Sequence, residues 1–198
     1  MNTKEIHRFN EICPLGMLPH ERVDWMVKYY NELERRRMEA WDTLQEIRQF
    51  LEVAGLDTNG LPDLDSIAEF KNGILRITVK DYLPRKCLML ERGAITQLSR
   101  HWLGTIRKAL DKLEVKPKFA KANTIIVVYV PHNRVVDPDN MAFELIMNAL
   151  RYNEILKNDS IRETTFMVEG RVDKDNPRTE IYVQRYRDIL TNLETAFL

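Results

Sequence analysis

Hydrophobic residues recur at alternating intervals of three and four positions across His20–Glu52, a stretch without proline or glycine. This spacing is typical of one face of an α-helix and predicts a helix of about nine turns. The apolar positions of the stripe are Val23, Met26, Tyr30, Leu33, Ala40, Leu44, Ile47 and Leu51. Arg37 stands where the stripe requires another apolar residue, and three aromatic residues beside the stripe, Trp25, Tyr29 and Trp41, widen the apolar face. Two interpretations stay open: a coiled coil, and a helix that packs along the globular part of its own chain.

The pattern beyond this helix predicts short elements separated by turn residues. Glycine and proline residues, at Gly55, Gly60 and Pro62, indicate that Ala54–Asn72 is a linker. Within it, Asp65-Ser66 favours the start of a short helix that ends at Phe70. Apolar runs predict strands at Ile74–Val79, Thr124–Val130, Ile161–Glu169 and Arg178–Gln184. Helical spacing predicts helices at Gly93–Leu113, Met141–Leu150 and Tyr186–Leu198. The sequence therefore predicts an α+β fold, in which a small mixed β-sheet carries packed helices and a long N-terminal helical extension precedes it. We place the boundary between a helical extension, residues 1–71, and a second domain, residues 72–198.

Three carboxylates follow the strand Thr124–Val130. Asp137 and Asp139 stand between this strand and the next predicted helix, and Asp159 follows that helix. Because Asp137 and Asp139 are two positions apart, their side chains leave the same face of an extended chain. Oxygen ligands of this kind suit a hard cation such as Mg²⁺. One interpretation of the pattern is therefore a magnesium site.

A simpler interpretation of the same residues stays open. Asp139 or Asn140 suits a helix N-cap, and Pro138 suits a turn that enters a helix. A second D-x-D-N, Asp173–Asn176, lies between two predicted strands and is followed by proline, which indicates a turn.

Formal charge balances to zero, but the charges are unevenly distributed. Ten basic residues occur in the segment 85–121, namely Arg85, Lys86, Arg92, Arg100, Arg107, Lys108, Lys112, Lys116, Lys118 and Lys121. Three acidic residues oppose them there, whereas the segment 137–163 is rich in acids. A basic region beside an acidic cluster is typical of a metal-dependent nuclease, because the cations hold phosphates while the acids hold the ion. An ordinary solvated helix face explains the same basic residues equally well.

The order of these motifs resembles the RusA family of Holliday-junction endonucleases. An apolar strand precedes D-x-D-N, then comes a helix that ends in Asn148-Ala149-Leu150, and Lys157-Asn158-Asp159-Ser160-Ile161 follows. The resemblance covers about residues 73–185 and is strongest from Thr124 to Val168. It implies a RusA-like nuclease domain over residues 72–198 that requires Mg²⁺, for which Mn²⁺ can substitute. It also implies cleavage of branched DNA, such as four-way junctions, by a homodimer in DNA recombination and repair.

The resemblance also implies roles for individual residues. Asp137, Asp139 and Asp159 are the expected catalytic metal ligands, and Asn140 and Asn158 are expected to orient them. The basic residues expected to contact the DNA backbone are Arg85, Lys86, Arg100 and Lys108. Such contacts position a substrate without reading its sequence.

This chain departs from the family pattern at two positions. An amide, Asn158, replaces the first acid of the family's D-D pair, and Phe143 or Glu144 stands where a helix lysine is typical. These departures motivate an alternative, a catalytically weak or inactive DNA-binding protein whose helix 20–52 recruits a protein partner. A third hypothesis makes that helix an oligomerisation device of the nuclease.

Other classes of function find little support in the sequence. The histidines are scattered, and no H-E-x-x-H, G-x-S-x-G or phosphate-binding glycine loop occurs. His101 lies beside an apolar helix stripe, where we expect a partly buried and satisfied side chain. Cys13 and Cys87 lack the spacing of a disulfide framework or a zinc site. We expect no membrane span and no signal peptide, and a cytoplasmic protein encoded by a bacterium or phage.

Overall fold

The computed structural model describes residues 19–58, 66–81, 83–84, 92–131, 141–158, 160 and 162–187. Its helices are α1 (Pro19–Val53), α2 (Arg92–Leu110) and α3 (Glu144–Tyr152). Its strands are β1 (Ile67–Lys71), β2 (Ile74–Val79), β3 (Ala122–Val130), β4 (Thr164–Val172) and β5 (Arg178–Arg185). The architecture is α+β, with a mixed sheet, helices packed on it and a long N-terminal helix, as the sequence predicts.

The five strands form one sheet in the order β1-β2-β5-β3-β4. All neighbouring pairs are antiparallel except β3 and β4, which run parallel from Ala122↔Thr164 to Val130↔Val172. A parallel pair needs a crossover connection, and α3 lies in the segment that joins β3 to β4. Both predicted acidic segments therefore belong, in sequence, to this crossover connection.

One face of the sheet is covered by α2 and α3. Alternate residues of β2, β3 and β5 are fully buried there, among them Leu75, Ile126 and Ile181. α2 contributes Trp102 and Ile106 to the same core. α3 contributes the residues that the sequence predicts as its buried face, namely Met141 just before it and Leu145, Ile146 and Ala149 within it. Burying a large apolar side chain is worth about 1.5–3 kcal/mol, so this layer fixes α3 against the sheet.

The linker prediction is wrong at one element. The residues after Ser66 form the edge strand β1, which pairs with β2 from Ile67↔Thr78 to Lys71↔Ile74, instead of a short capped helix. Asn72 and Gly73 both adopt positive φ and form the tight turn of this hairpin, as Asn-Gly pairs commonly do. β1 lies on the N-terminal side of the predicted boundary at residue 72. The predicted C-terminal helix lies outside the described residues from 188 onward.

Helix α1 packs on α2 through a face beside the predicted stripe. Met38 is fully buried in the core, and the Trp41 ring meets His101 edge-on at a centroid distance of 5.5 Å. The stripe itself is largely exposed at Val23, Leu33 and Ile47. The middle of α1 therefore packs along the globular part of its own chain, as one of the two interpretations predicts. The buried face of the helix is not the predicted apolar stripe.

A buried carboxylate anchors this packing. Asp81, just after β2, is 3% exposed, and Arg37 Nη1 lies 2.7 Å from both of its oxygens. His101 Nε2 lies 3.2 Å from Oδ2, and Thr179 Oγ1 donates to the Asp81 backbone carbonyl at 2.7 Å. Burial opposes ionisation of Asp81, but the hydrogen bond from His101 and the charge of Arg37 outweigh it and lower its pKa. Arg37, the residue that interrupts the apolar stripe, thus joins α1 to β2 and α2.

No helix among the described residues is long and apolar enough to cross a membrane.

We predict that Asp81→Asn lowers the free energy of unfolding by about 3 kcal/mol, because the substitution removes the buried charge that Arg37 and His101 both contact and leaves Arg37 only its ion pair with Glu34. Urea unfolding followed by circular dichroism measures the change. Glu32→Gln is the matched control, since Glu32 forms exposed ion pairs with Arg35 and Arg36 on the same helix, and exposed pairs contribute little. Equal unfolding midpoints for wild type and Asp81→Asn would contradict the anchoring role.

Candidate functional site

The predicted metal ligands lie outside the described residues. Asp137, Asp139 and Asn140 fall between Pro131 and Met141, and Asp159 falls between Asn158 and Ser160. The predicted DNA contacts Arg85 and Lys86 also lie outside them. What the structure does describe is the set of residues that flank both acidic segments.

The two flanks meet through an aromatic contact. Phe143, just before α3, lies against Phe166 of β4 with ring centroids 4.8 Å apart. At the other end of α3 the chain turns back, where Phe119 donates its backbone N–H to the carbonyl of Ile155 at 2.8 Å. These contacts fix the chain after the D-x-D-N segment and the chain after the Asn158-Asp159 segment on neighbouring parts of the fold.

The described residues on either side of position 159 are held by hydrogen bonds. Thr164 Oγ1 donates to the backbone carbonyl of Asn158 at 2.9 Å, and the backbone N–H groups of Glu163 and Thr164 both donate to the carbonyl of Ser160 at 3.0 Å. This turn delays β4 to Thr164, three residues after the predicted start. The side chain of Asn158 is exposed.

The second D-x-D-N forms the predicted turn. Asp173 accepts a hydrogen bond from the backbone N–H of Asn176 at 3.1 Å, and it forms an ion pair with Arg178 at 2.6 Å. These bonds, with that of Arg178 foremost, lower the pKa of Asp173. No group of three or more potential metal ligands occurs among the described residues.

The basic residues of the segment 85–121 divide into two groups. Lys116 pairs with Asp111, and Lys118 with Glu154, each at 2.5 Å. Arg100 and Lys108, both predicted to contact DNA, lie on the exposed surface of α2 and form no ion pair within the described chain. The structure thus brings these two predicted residues to one helix surface with their charges uncompensated.

Arg100 and Lys108 line a cleft of about 380 Å³ between α1 and α2. Trp41 and Gln45 contribute from α1, Ser66 contributes from just before β1, and buried His101 contributes from α2. His101 is satisfied by Asp81, as the sequence predicts. The sequence analysis missed this cleft, because its walls come from three separate segments.

A second charged cluster lies on the sheet face opposite the helices. Glu180 of β5 is 3% exposed and accepts from Arg178 at 2.8 Å, from Arg76 at 3.0 Å and from the Tyr182 hydroxyl at 2.5 Å. The Arg178 guanidinium also lies 3.5 Å from the centre of the Tyr129 ring. Burial raises the pKa of Glu180, but these donors outweigh burial and lower it to about 2. The cluster compensates its own charge, so we assign it a role in stability.

The comparisons with known proteins add little to this geometry. No family model matches the chain, and no curated protein matches it significantly. Among solved structures, the chain is similar to the periplasmic domain of Helicobacter pylori MotB. That alignment has a TM-score of 0.30 and 12% identity, and it covers 71% of this chain and 93% of that chain. A similarity this low carries no argument about fold or function.

We predict that Glu180→Gln lowers the free energy of unfolding at neutral pH by about 2 kcal/mol, because it leaves two arginines facing a neutral amide. The pKa of Glu180 is about 2 in the fold against an ordinary value of 4.5. Its ionised form therefore stabilises the fold fully above pH 4.5, and this contribution is lost as the pH falls from 4.5 to about 2. The difference between wild type and variant should shrink over this interval in urea unfolding at a series of pH values.

The control for this pH dependence is Glu169→Gln, which removes an exposed carboxylate that pairs with Arg171 on β4. It should change stability little at any pH. A wild-type advantage over Glu180→Gln that stays constant down to pH 2 would show that ionisation of Glu180 does not stabilise the fold.

Proposed function

We propose that this protein is a metal-dependent endodeoxyribonuclease with a RusA-like fold that cleaves branched DNA, such as four-way junctions, as a homodimer. The proposal rests on the order of strand, D-x-D-N, helix and Asn158-Asp159 along the chain. In the described structure, β3, α3 and β4 follow one another as a strand, a helix and a strand, which is the order of elements in the resemblance.

The observation that carries the proposal is the contact between Phe143 and Phe166. Asp139 is four residues before Phe143, and Asp159 is seven residues before Phe166. Since an extended chain spans at most about 3.5 Å per residue, this contact sets an upper limit on the separation of the two acidic segments, and the proposal is that they lie much closer and share one ion. Three carboxylates from two such segments are a suitable ligand set for a hard divalent cation.

Asp137, Asp139 and Asp159 would hold Mg²⁺, or Mn²⁺ in its place, and Asn140 and Asn158 would hydrogen-bond to these carboxylates. The bound ion would supply an activated water and neutralise charge on the scissile phosphate. Arg100 and Lys108 would hold the neighbouring phosphates, because their charges are uncompensated within the described chain. Arg85 and Lys86, as in the family resemblance, would contact the DNA backbone as well. Such contacts give affinity that falls as salt rises.

A second candidate function is DNA binding without efficient cleavage, with α1 recruiting a protein partner. Phe143 or Glu144 stands where the family's lysine is typical, so neither candidate supplies a positive charge there, and Phe143 packs against Phe166. The exposed apolar side chains of α1, including Leu33 and Ile47, offer a surface for such a partner. Junction binding without nicking, in both Mg²⁺ and Mn²⁺, would favour this function.

The two D-x-D-N segments allow a matched test. We predict that wild-type protein introduces paired nicks into opposing strands of a labelled four-way junction in Mg²⁺. Asp139→Asn should reduce nicking about a hundredfold or more, a loss of about 2.7 kcal/mol in transition-state stabilisation, while junction binding persists. Asp175→Asn makes the same substitution at the same position of the turn motif and should nick like wild type. Gel electrophoresis of the products measures both.

Unchanged nicking by Asp139→Asn would remove the acidic residues from the mechanism. Absence of nicking by the wild type in either metal would overturn the nuclease proposal.

A further inference from the structure

The cleft between α1 and α2 has two chemically different walls. The α2 wall presents the cations Arg100 and Lys108, whereas the α1 wall presents Trp41 together with the hydrogen-bonding side chains Asp42 and Gln45. A volume of about 380 Å³ falls within the range of small-ligand sites. The cleft therefore suits a ligand that is anionic at one end and flat, with hydrogen-bonding groups, at the other.

The charge on the α2 wall is available to a ligand. Neither Arg100 nor Lys108 has an ion-pair partner among the described residues. Asp111, which also lines the cleft, is already paired with Lys116, whose hydrogen bond lowers the Asp111 pKa. An anion that enters on this side therefore meets Arg100 and Lys108, while the carboxylate of Asp111 is compensated and that of Asp42 lies on the α1 wall.

Ser66, which also lines the cleft, carries a buried hydroxyl without a hydrogen-bond partner among the described residues. The residue is 7% exposed. Buried polar atoms are normally satisfied, so this hydroxyl is an exception beside the cleft. Beside it, the Trp41 ring is held by its edge-on contact with His101, whose own position is fixed by Asp81. The aromatic wall is thus preorganised.

We propose that this cleft binds a nucleotide, with its phosphate against Arg100 and Lys108 and its base against Trp41. Aromatic side chains stack on bases of any sequence, and Arg and Lys hold the backbone phosphate. Asp42 and Gln45, which line the same cleft, would provide hydrogen-bond partners for the amino and carbonyl groups of the base. In the context of the proposed nuclease, on which this assignment rests, the ligand is an unpaired nucleotide of a branched DNA strand. A free mononucleotide has the same chemistry.

Gly104 provides a way to fill the cleft without disturbing its charges. It lies within α2 on the cleft wall, and a Cβ built there has no atom within 4 Å. Leucine at this position therefore projects into empty space, and it also favours the helix more than glycine does. Gly104→Ala is the matched control, because it gives the same backbone benefit but occupies little of the cleft.

The experiment measures fluorescence polarisation of a labelled single-stranded oligothymidylate with the full-length protein. EDTA is present, and each protein carries Asp139→Asn so that cleavage plays no part. We expect Gly104→Leu to weaken binding about tenfold, the scale of one stacked base, and Gly104→Ala to leave it unchanged. Arg100→Gln with Lys108→Gln should weaken binding and reduce its salt dependence. Arg92→Gln removes an exposed charge from the start of the same helix outside the cleft and should change affinity less than twofold. Thermal melting confirms that each variant is folded.

Competition identifies the source of the nucleotide. Unlabelled single strand should displace the labelled oligonucleotide in either case. If dAMP also displaces it, the site accepts free nucleotides. If dAMP does not, the site is specific for a DNA strand. Equal affinity of Gly104→Leu and Gly104→Ala, or no binding of either probe, would overturn the cleft assignment. Junction nicking by Gly104→Leu is measured separately, in protein that retains Asp139. Nicking without cleft binding leaves the nuclease standing, and cleft binding without nicking leaves the cleft standing.

Discussion

A single buried carboxylate holds three parts of this protein together. Asp81 receives Arg37 from α1 and His101 from α2, and its backbone carbonyl receives Thr179 from β5. Because an ionised carboxylate accepts hydrogen bonds only, its satisfaction requires donors from several elements at once. The result is that α1 has a defined position on α2, and Trp41 is placed beside His101. The cleft between the two helices exists because of this arrangement.

The helices on the sheet also hold residues next to the proposed nuclease site. α2 and α3 pack together on one face of the sheet, and the backbone N–H of Ala142 donates to the carbonyl of Pro84, three residues after Asp81. The start of α3 is thereby tied both to the end of β2 and, through Phe143, to β4. A rigid support for the ends of an acidic segment is what preorganised metal binding needs. The proposed substrate cleft and the proposed metal site would therefore share α2 and the segment after β2 as common supports.

The sequence predicted the elements whose pattern is local. Strand β2 has the predicted bounds, β3 and β5 differ by one or two residues at their ends, and α1 extends one residue beyond its prediction at each end. β1 was missed because Asp65-Ser66 favours a helix start, whereas pairing with β2 decides the outcome in the fold. The docking face of α1 was missed for a similar reason. A regular stripe shows that a helix is amphipathic, but the buried Met38 and the ion pair of Arg37 depend on a partner distant in sequence. Arg37 was the available signal, since a charge that interrupts an apolar stripe needs an opposite charge to be buried beside it.

The central claim is that Asp137, Asp139 and Asp159 bind one divalent cation together. Electron paramagnetic resonance of Mn²⁺ titrated into the full-length protein tests it directly, since free and bound Mn²⁺ give separable signals. The account predicts a site in the wild type that Asp159→Asn and Asp139→Asn each weaken by a similar factor, and that Asp175→Asn leaves intact. Mn²⁺ affinity that survives Asp159→Asn while Asp139→Asn abolishes it would contradict the account, because the two acidic segments would then not share a site.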